Sequence, residues 1–120
     1  MPHLMIEYNR TLPLDTAALI RRCHAALTDS GCFSEADIKI RAAAYDDYLV
    51  GGKTQNFIHA ALLLMEGRSG DVKKQLAEAV AESLRAALPA QTAYCEITVE
   101  IRDLAAESYT KVYCRNEAYV

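Results

Sequence analysis

A proline directly follows the first methionine of the chain, in the opening stretch MPHLMIEY. An initiator methionine is commonly removed when the next residue is proline, and Pro2 would then carry a free secondary amine. Ordinary α-amino groups titrate at about 7.7 to 8.0, and an apolar pocket with nearby cations lowers that value. Such a group can accept and return a proton near neutral pH. The sequence therefore predicts Pro2 as a general base and acid, although a proline here is also typical of a plain edge-strand start.

Cationic side chains elsewhere in the chain could hold an acidic substrate. Arg68 lies in the loop Gly-Arg-Ser-Gly directly before a predicted helix, where a guanidinium can grip a carboxylate with two hydrogen bonds. The free N–H groups at the helix start add positive potential. Lys39 and Arg41 share one face of a predicted strand, opposite two isoleucines. We expect Arg68 to bind substrate, although most loop arginines are only solvated.

The histidines and cysteines lack the spacing of a metal site. His3, His24 and His59 lie on separate predicted elements, and none of the four cysteines forms a CxxC pair. We therefore predict no metal, and cysteines that stay reduced. His3 stands next to Pro2 and could line the same pocket; the alternative is a packing or surface role.

Length and composition favour one small cytoplasmic domain over residues 1–120. The chain has a net charge of -3, with 52% hydrophobic and 24% charged residues. This composition gives no broad electrostatic reason to bind nucleic acid. No apolar run approaches the roughly 20 residues of a membrane span, and the first residues lack the apolar core of a signal peptide. We therefore expect neither a nucleic-acid nor a membrane partner.

Hydrophobic periodicity predicts six main elements. Strands are indicated at about residues 3–8, from about 37, at 57–65 and at 93–101, and amphipathic helices at about 15–31 and 71–88. The order strand-helix-strand thus occurs twice, which predicts pseudo-repeats at about 2–50 and 54–105. The tail, 106–120, is rich in tyrosine and valine. We expect it to pack, either on its own domain or on a neighbouring subunit.

Each repeat is long enough for a right-handed βαβ crossover with parallel strands. We therefore predict an α/β protein, more narrowly an α+β two-layer sandwich, in which a four-stranded mixed sheet carries two helices on one face. The predicted strand FIHAALLLM is apolar on both faces, yet the helices can cover only one. The simplest cover for the other face is a second subunit.

Four features occur together in this chain. They are the initial Pro-His with Glu7 five positions after the proline, the segment GCFSEADIKIR, the Gly-Arg-Ser before the second helix, and the duplicated βαβ plan. In this order they resemble the 5-carboxymethyl-2-hydroxymuconate isomerase family of the tautomerase superfamily, from Pro2 to about Ile101. The resemblance implies a homotrimer without metal or organic cofactor. It also implies keto–enol isomerisation of an unsaturated dicarboxylate or tricarboxylate from aromatic compound catabolism, with the terminal proline moving the proton and cationic side chains holding the carboxylates.

Position 39 departs from the pattern of that family. When the chain is aligned on GCFSEADIKIR, Lys39 stands where the family has a substrate-binding arginine. Lysine keeps the charge but loses the bidentate geometry, so the exact substrate stays open. Arg41 either compensates for this loss or forms only a surface ion pair.

Two kinds of function remain on these grounds. The first is an isomerase that uses Pro2, and the second is a non-catalytic trimeric binding or structural protein of the same fold. Decarboxylation of an unsaturated acid on the same scaffold is a lesser alternative among the enzymes. The chemical state of residue 2 separates the first two, because an acylated Pro2 nitrogen cannot act as a base.

Overall fold

A computed structural model describes residues 1–116 and contains a four-stranded sheet with two helices. The main elements in chain order are β1 (His3–Asn9), α1 (Thr16–Asp29), β2 (Lys39–Tyr45), β3 (Phe57–Met65), α2 (Gly70–Ala86) and β4 (Glu96–Leu104). Short 3-10 helices occupy Glu35–Asp37 and Ala106–Ser108. The strand order across the sheet is β2-β1-β3-β4. Each half of the chain therefore supplies one outer and one central strand.

Strand pairing confirms the predicted pair of βαβ units. β1 runs parallel to β2 and β3 runs parallel to β4, each pair being joined through one helix. The central strands, β1 and β3, are antiparallel, which makes the sheet mixed as predicted. Two parallel strands that follow each other in the chain require such a crossover connection, because a tight hairpin can join only antiparallel strands.

Two strand ends differ from the sequence prediction. β2 starts at Lys39, because Glu35–Asp37 first forms a 3-10 turn. β4 starts at Glu96 and continues to Leu104, where it still pairs with Met65 of β3. Alternation within one segment could not predict these ends, because a strand extends as far as its neighbour offers backbone partners.

Both helices begin at side-chain caps. Asp15 caps α1 by accepting a hydrogen bond from the Ala18 N–H, and Ser69 caps α2 by accepting one from the Val72 N–H. These bonds satisfy donors that the first helical turn leaves free. Because Ser69 directly follows Arg68, the α2 cap also fixes the position of the backbone from which the Arg68 side chain projects.

The hydrophobic core fills the layer between the sheet and the helices. Apart from Tyr8, which is half-buried, the even-numbered residues of β1 and β3 face three residues from each helix, and all of these are almost fully buried: Leu4, Ile6, Ile58, Ala60, Leu62, Leu64, Leu19, Cys23, Leu27, Leu76, Val80 and Leu84. The two helices also pack against each other, so they lie on the same face of the sheet. Burial of this apolar surface stabilises the fold and decides which side chains of β1 turn away from the helices.

The odd-numbered residues of the central strands lie on the opposite side of the sheet, called here the open face. On β3 they include Phe57, Ala61, Leu63 and Met65. Both faces of β3 are therefore apolar, as predicted. Within residues 1–116 the two helices leave the open face uncovered.

A buried amide joins the two repeats at the end of β1. Asn9 has no exposed surface, and its Nδ2 donates to Asn56 Oδ1 and to Thr11 Oγ1, both at 2.8 Å. Its Oδ1 accepts the N–H of Phe57, the first residue of β3, at 2.9 Å. Buried amides are normally paired in this way. Asn9 therefore holds the end of β1 against the start of β3.

Replacing Asn9 by alanine should leave the Phe57 N–H and the Asn56 side chain without this partner. We expect Asn9→Ala to lower the free energy of unfolding by about 1–3 kcal/mol, the usual cost of an unsatisfied buried polar group. Urea denaturation followed by circular dichroism measures this loss. Thr11→Ala is the matched control, because it removes one exposed acceptor of the same amide and should cost under about 1 kcal/mol. Equal losses for the two variants would contradict the role given to Asn9.

Candidate active site

The start of the chain is buried beside the start of β2. Pro2 is buried, and its carbonyl oxygen accepts the Lys39 N–H at 3.0 Å, one residue before the β1–β2 pairing begins. The Met1 amine lies 3.4 Å from the Asp37 carbonyl and donates to it. Pro2 is therefore held in place by the sheet and does not project into solvent.

Lys39 brings positive charge next to the chain start. Its Nζ donates at 2.9 Å to the Asp37 carbonyl, the same oxygen that accepts the Met1 amine. Burial and, after it, the charge of Lys39 lower the pKa of the Met1 amine from its ordinary value. Lys39 is thus close enough to influence the protonation of an amine at this end of the chain.

Arg68 faces a small cavity together with Met1. Its Nη2 donates to the Cys32 carbonyl at 2.8 Å, and its guanidinium carbon lies 4.8 Å from the centre of the Phe33 ring. The cavity has a volume of about 220 Å³, and Asp37 also lines it. A guanidinium has five N–H donors, so donors remain for a carboxylate placed in the cavity.

His3 and Arg41 contact each other across the β1–β2 pair. Arg41 Nη1 lies 3.3 Å from His3 Nδ1, and His3 Nε2 lies 2.9 Å from the Tyr109 hydroxyl. A guanidinium can only donate, so Nδ1 is the acceptor and the ring hydrogen is assigned to Nε2. Burial, followed by the charges of Arg41 and Lys39, lowers the pKa of His3 below its usual value. These surroundings favour the neutral form of His3, which bridges Arg41 to Tyr109.

Tyr109 and Lys111, from the segment that follows β4, also reach this site. Neither of them was identified from the sequence. Tyr109 bonds His3, and Lys111 Nζ lies 3.3 Å from Asp37 Oδ1. The aromatic composition of the tail was the only sequence signal for Tyr109. Local spacing could not have linked it to His3, because the two residues are 106 positions apart.

The rest of the tail contributes less to the described structure. The sequence predicts a tail that packs on its own domain or on a neighbouring subunit, and in the single chain Val112 and Tyr113 are 76% and 67% exposed. Tyr119 and Val120, which belong to the same prediction, lie outside the described residues.

The predicted site residues approach the chain start from two sides. Pro2 and His3 stand at the start of β1, and Lys39 and Arg41 lie on the neighbouring strand β2. Arg68 comes from the loop after β3 and lines the small cavity. A larger cavity, of about 550 Å³, lies between α1 and α2 and is lined by none of these five residues. The small cavity is where the N-terminal group and a guanidinium meet.

The cations around the chain start include Lys39, Lys111, Arg68 and the N-terminal amine. Within residues 1–116, no group of three or more His, Cys, Asp or Glu side chains is placed to hold a metal ion. Over the same residues, neither helix is both long enough and apolar enough to cross a membrane.

Solved structures with the same fold define the class of protein. A 5-carboxymethyl-2-hydroxymuconate isomerase from Deinococcus radiodurans R1 has a TM-score of 0.83 and 26% identity, over 92% of this chain and 88% of that chain. A 5-carboxymethyl-2-hydroxymuconate delta-isomerase has a TM-score of 0.77 and 27% identity, over 95% of this chain and 89% of that chain. A fused 4-OT wild type symmetric trimer, at 20% identity, shares the fold alone, with a TM-score of 0.73 over 86% of this chain and 85% of that chain. The class is therefore the isomerases of the tautomerase fold.

The family follows from the sequence. The family model of 5-carboxymethyl-2-hydroxymuconate isomerase matches residues 2–116, nearly the whole chain. The protein belongs to this family, as the resemblance of its motifs predicted. No curated protein matches the sequence.

Proposed function

We propose that the protein is a tautomerase that catalyses keto–enol proton transfer on an unsaturated carboxylate such as 5-carboxymethyl-2-hydroxymuconate. In this proposal Met1 is removed and the Pro2 nitrogen acts as general base and acid. Arg68 and Lys39 hold carboxylates of a dicarboxylate or tricarboxylate substrate, and Arg41 and His3 support them. The reaction uses no cofactor, because a proton only moves between two atoms of the substrate.

The observation that carries the proposal is the meeting of the chain start and two cations. Met1 and Arg68 both line the cavity of about 220 Å³, and Lys39 shares the Asp37 carbonyl with the Met1 amine. Burial and nearby positive charge both favour the neutral form of an amine. A free amine on Pro2, which is buried beside Lys39, would stand in similar surroundings. It would then be available as a base at neutral pH.

The proposed chemistry uses the amine in both of its protonation states. The neutral Pro2 nitrogen takes the proton of the substrate hydroxyl, and the resulting ammonium returns a proton to a carbon of the conjugated chain. Negative charge develops on the substrate oxygen between these steps, and the charges of Arg68 and Lys39 stabilise it. Holding the substrate through its carboxylates also sets which carbon faces Pro2.

We further propose that the active form is a homotrimer in which neighbouring subunits cover the open face. Leu63 and Met65 of β3 lie half-buried on this face with no helix over them, and apolar side chains on an uncovered sheet face are typical of an interface. Polar groups there are partly paired already, since His59 Nε2 lies 2.7 Å from Glu100 Oε2. The fused 4-OT structure with the same fold is a symmetric trimer.

Light scattering at micromolar concentration should give a mass about three times the 13.3 kDa of one chain. Leu63→Glu should shift the protein toward monomers, because burying an unpaired carboxylate in an interface costs several kcal/mol. Leu49→Glu is the matched control, since Leu49 is 71% exposed and the change should leave the mass unaltered. A stable 13.3 kDa monomer of the unchanged chain would refute the proposed assembly.

The rate should rise with pH as the Pro2 ammonium loses its proton. Burial and nearby cations disfavour the charged form, so the midpoint of the acid limb of kcat/KM should lie below the about 7.7–8.0 of an ordinary α-amino group. Lys39→Ala removes one cation, stabilises the ammonium and should move this midpoint to higher pH. An ultraviolet assay with a 2-hydroxymuconate-type dienol, across a series of buffers, measures the profile.

The matched control for this profile is Arg85→Ala, which also removes one positive charge. Arg85 pairs with Glu82 on the exposed surface of α2, so the midpoint should stay in place. Turnover should also scale with the fraction of molecules that lack Met1, as counted by mass spectrometry. An unchanged profile in Pro2→Ala, or full activity in protein that retains Met1, would leave the non-catalytic binding protein as the better hypothesis.

Removing the guanidinium of Arg68 should weaken substrate and transition-state binding. We expect Arg68→Ala to lower kcat/KM by an amount equivalent to about 2–5 kcal/mol of transition-state stabilisation. A loss of this size is usual when one partner of a desolvated charge pair is truncated. The kcat/KM of Arg68→Lys should fall between those of the unchanged protein and Arg68→Ala, because lysine keeps the charge but not the bidentate geometry. Thermal melting checks that the fold is intact, and Arg85→Ala is again the control. A kcat/KM that Arg68→Ala leaves at its original value would mean that Arg68 only braces Cys32 and Phe33.

A further inference from the structure

The segment after β4 returns to the start of β1 and places a tyrosine against His3. The Tyr109 hydroxyl lies 2.9 Å from His3 Nε2, and the two rings meet edge to face, with centroids 6.0 Å apart at an interplanar angle of 68°. Both side chains are half-buried. A hydrogen bond and an edge-to-face ring contact at the same residue fix both the position and the rotation of the imidazole.

The other ring nitrogen of His3 determines the direction of this hydrogen bond. Arg41 Nη1 lies 3.3 Å from His3 Nδ1, and a guanidinium has no acceptor. Nδ1 must therefore accept, and Nε2–H must donate to the Tyr109 oxygen. The order of donors is thus Arg41 to His3 to Tyr109. A protonated imidazole would face the Arg41 cation, so this arrangement belongs to the neutral ring.

The same segment is attached at a second point near the chain start. Lys111 Nζ lies 3.3 Å from Asp37 Oδ1, and the carbonyl of Asp37 accepts both the Met1 amine and Lys39 Nζ. Contacts at residues 109 and 111 therefore reach His3, which pairs with Lys39 across the strands, and Asp37, whose carbonyl accepts the Lys39 side chain. Tyr109 belongs to a docked segment and is not a chance neighbour of His3.

We propose that Tyr109 is a positioning residue of this site and acts through His3. By accepting the Nε2–H bond it keeps His3 in one tautomer, with Nδ1 turned toward Arg41, and so fixes the Arg41 guanidinium on the face of β2 that carries Lys39. This inference rests on the proposed function, in which that cationic face holds a substrate carboxylate. Losing the Tyr109 hydroxyl should therefore weaken substrate binding more than it slows the chemical step.

Tyr109→Phe removes only the acceptor oxygen and keeps the ring. The ¹⁵N NMR signals of the His3 ring, assigned by comparison with His3→Ala, should show a loss of preference for the Nε2–H tautomer. KM should rise about three- to tenfold, the usual range for one hydrogen bond, and kcat should change less. Tyr94→Phe is the matched control, because it deletes a hydroxyl from an exposed tyrosine outside this segment and should alter neither readout. Unchanged His3 ring signals in Tyr109→Phe would overturn the proposal.

A double-mutant cycle tests whether Tyr109 acts through His3. Once His3→Ala is present, adding Tyr109→Phe should change KM no further, because the group that Tyr109 positions is already missing. Additive losses would overturn the proposal by showing that Tyr109 acts on its own. The NMR readout does not depend on turnover. A wild-type protein that converts no enol acid would refute the proposed function, while its His3 ring signals would still decide whether Tyr109 sets the tautomer.

Discussion

The parallel pairing of β1 with β2 is the constraint on which the site depends. The pairing is preceded by the bond from the Lys39 N–H to the Pro2 carbonyl, and it sets Lys39 opposite His3. Two residues further on, Arg41 stands opposite Met5. A shift of register by one residue would turn both cations toward the helices, because side chains alternate between the faces of a strand. The cationic surroundings of the chain start are therefore a property of the sheet.

The antiparallel pairing of the two central strands brings the second repeat to the same place. Leu63, near the end of β3, stands opposite His3 at the start of β1. The loop that follows β3 must then leave the sheet beside the chain start, and Arg68 is part of that loop. At the other end of the same strands, Asn9 bonds Asn56 and Phe57 and so holds the repeats together. Two repeats of one topology thus contribute different groups to one cavity.

Positive charge is concentrated around the chain start, and Asp37 is its main internal partner. The Asp37 carbonyl accepts the Met1 amine and Lys39, and its carboxylate pairs with Lys111. Like charges held together in a partly buried place destabilise one another. An anionic substrate relieves this repulsion, and a neutral amine avoids adding to it. The same electrostatics therefore favours binding of carboxylates and the unprotonated form of an N-terminal base.

The sequence by itself determined the type and order of the main helices and strands, the duplicated βαβ plan and the family, because apolar periodicity and the order of short motifs are local features. Strand alternation also sufficed to put Lys39 and Arg41 on one face. Only the tertiary structure decided that Arg68 lines a cavity with the chain start, and that Tyr109 rests on His3. Those contacts join residues far apart in the chain, and they follow from strand order and from the path of the tail. No local pattern of residues specifies either of these.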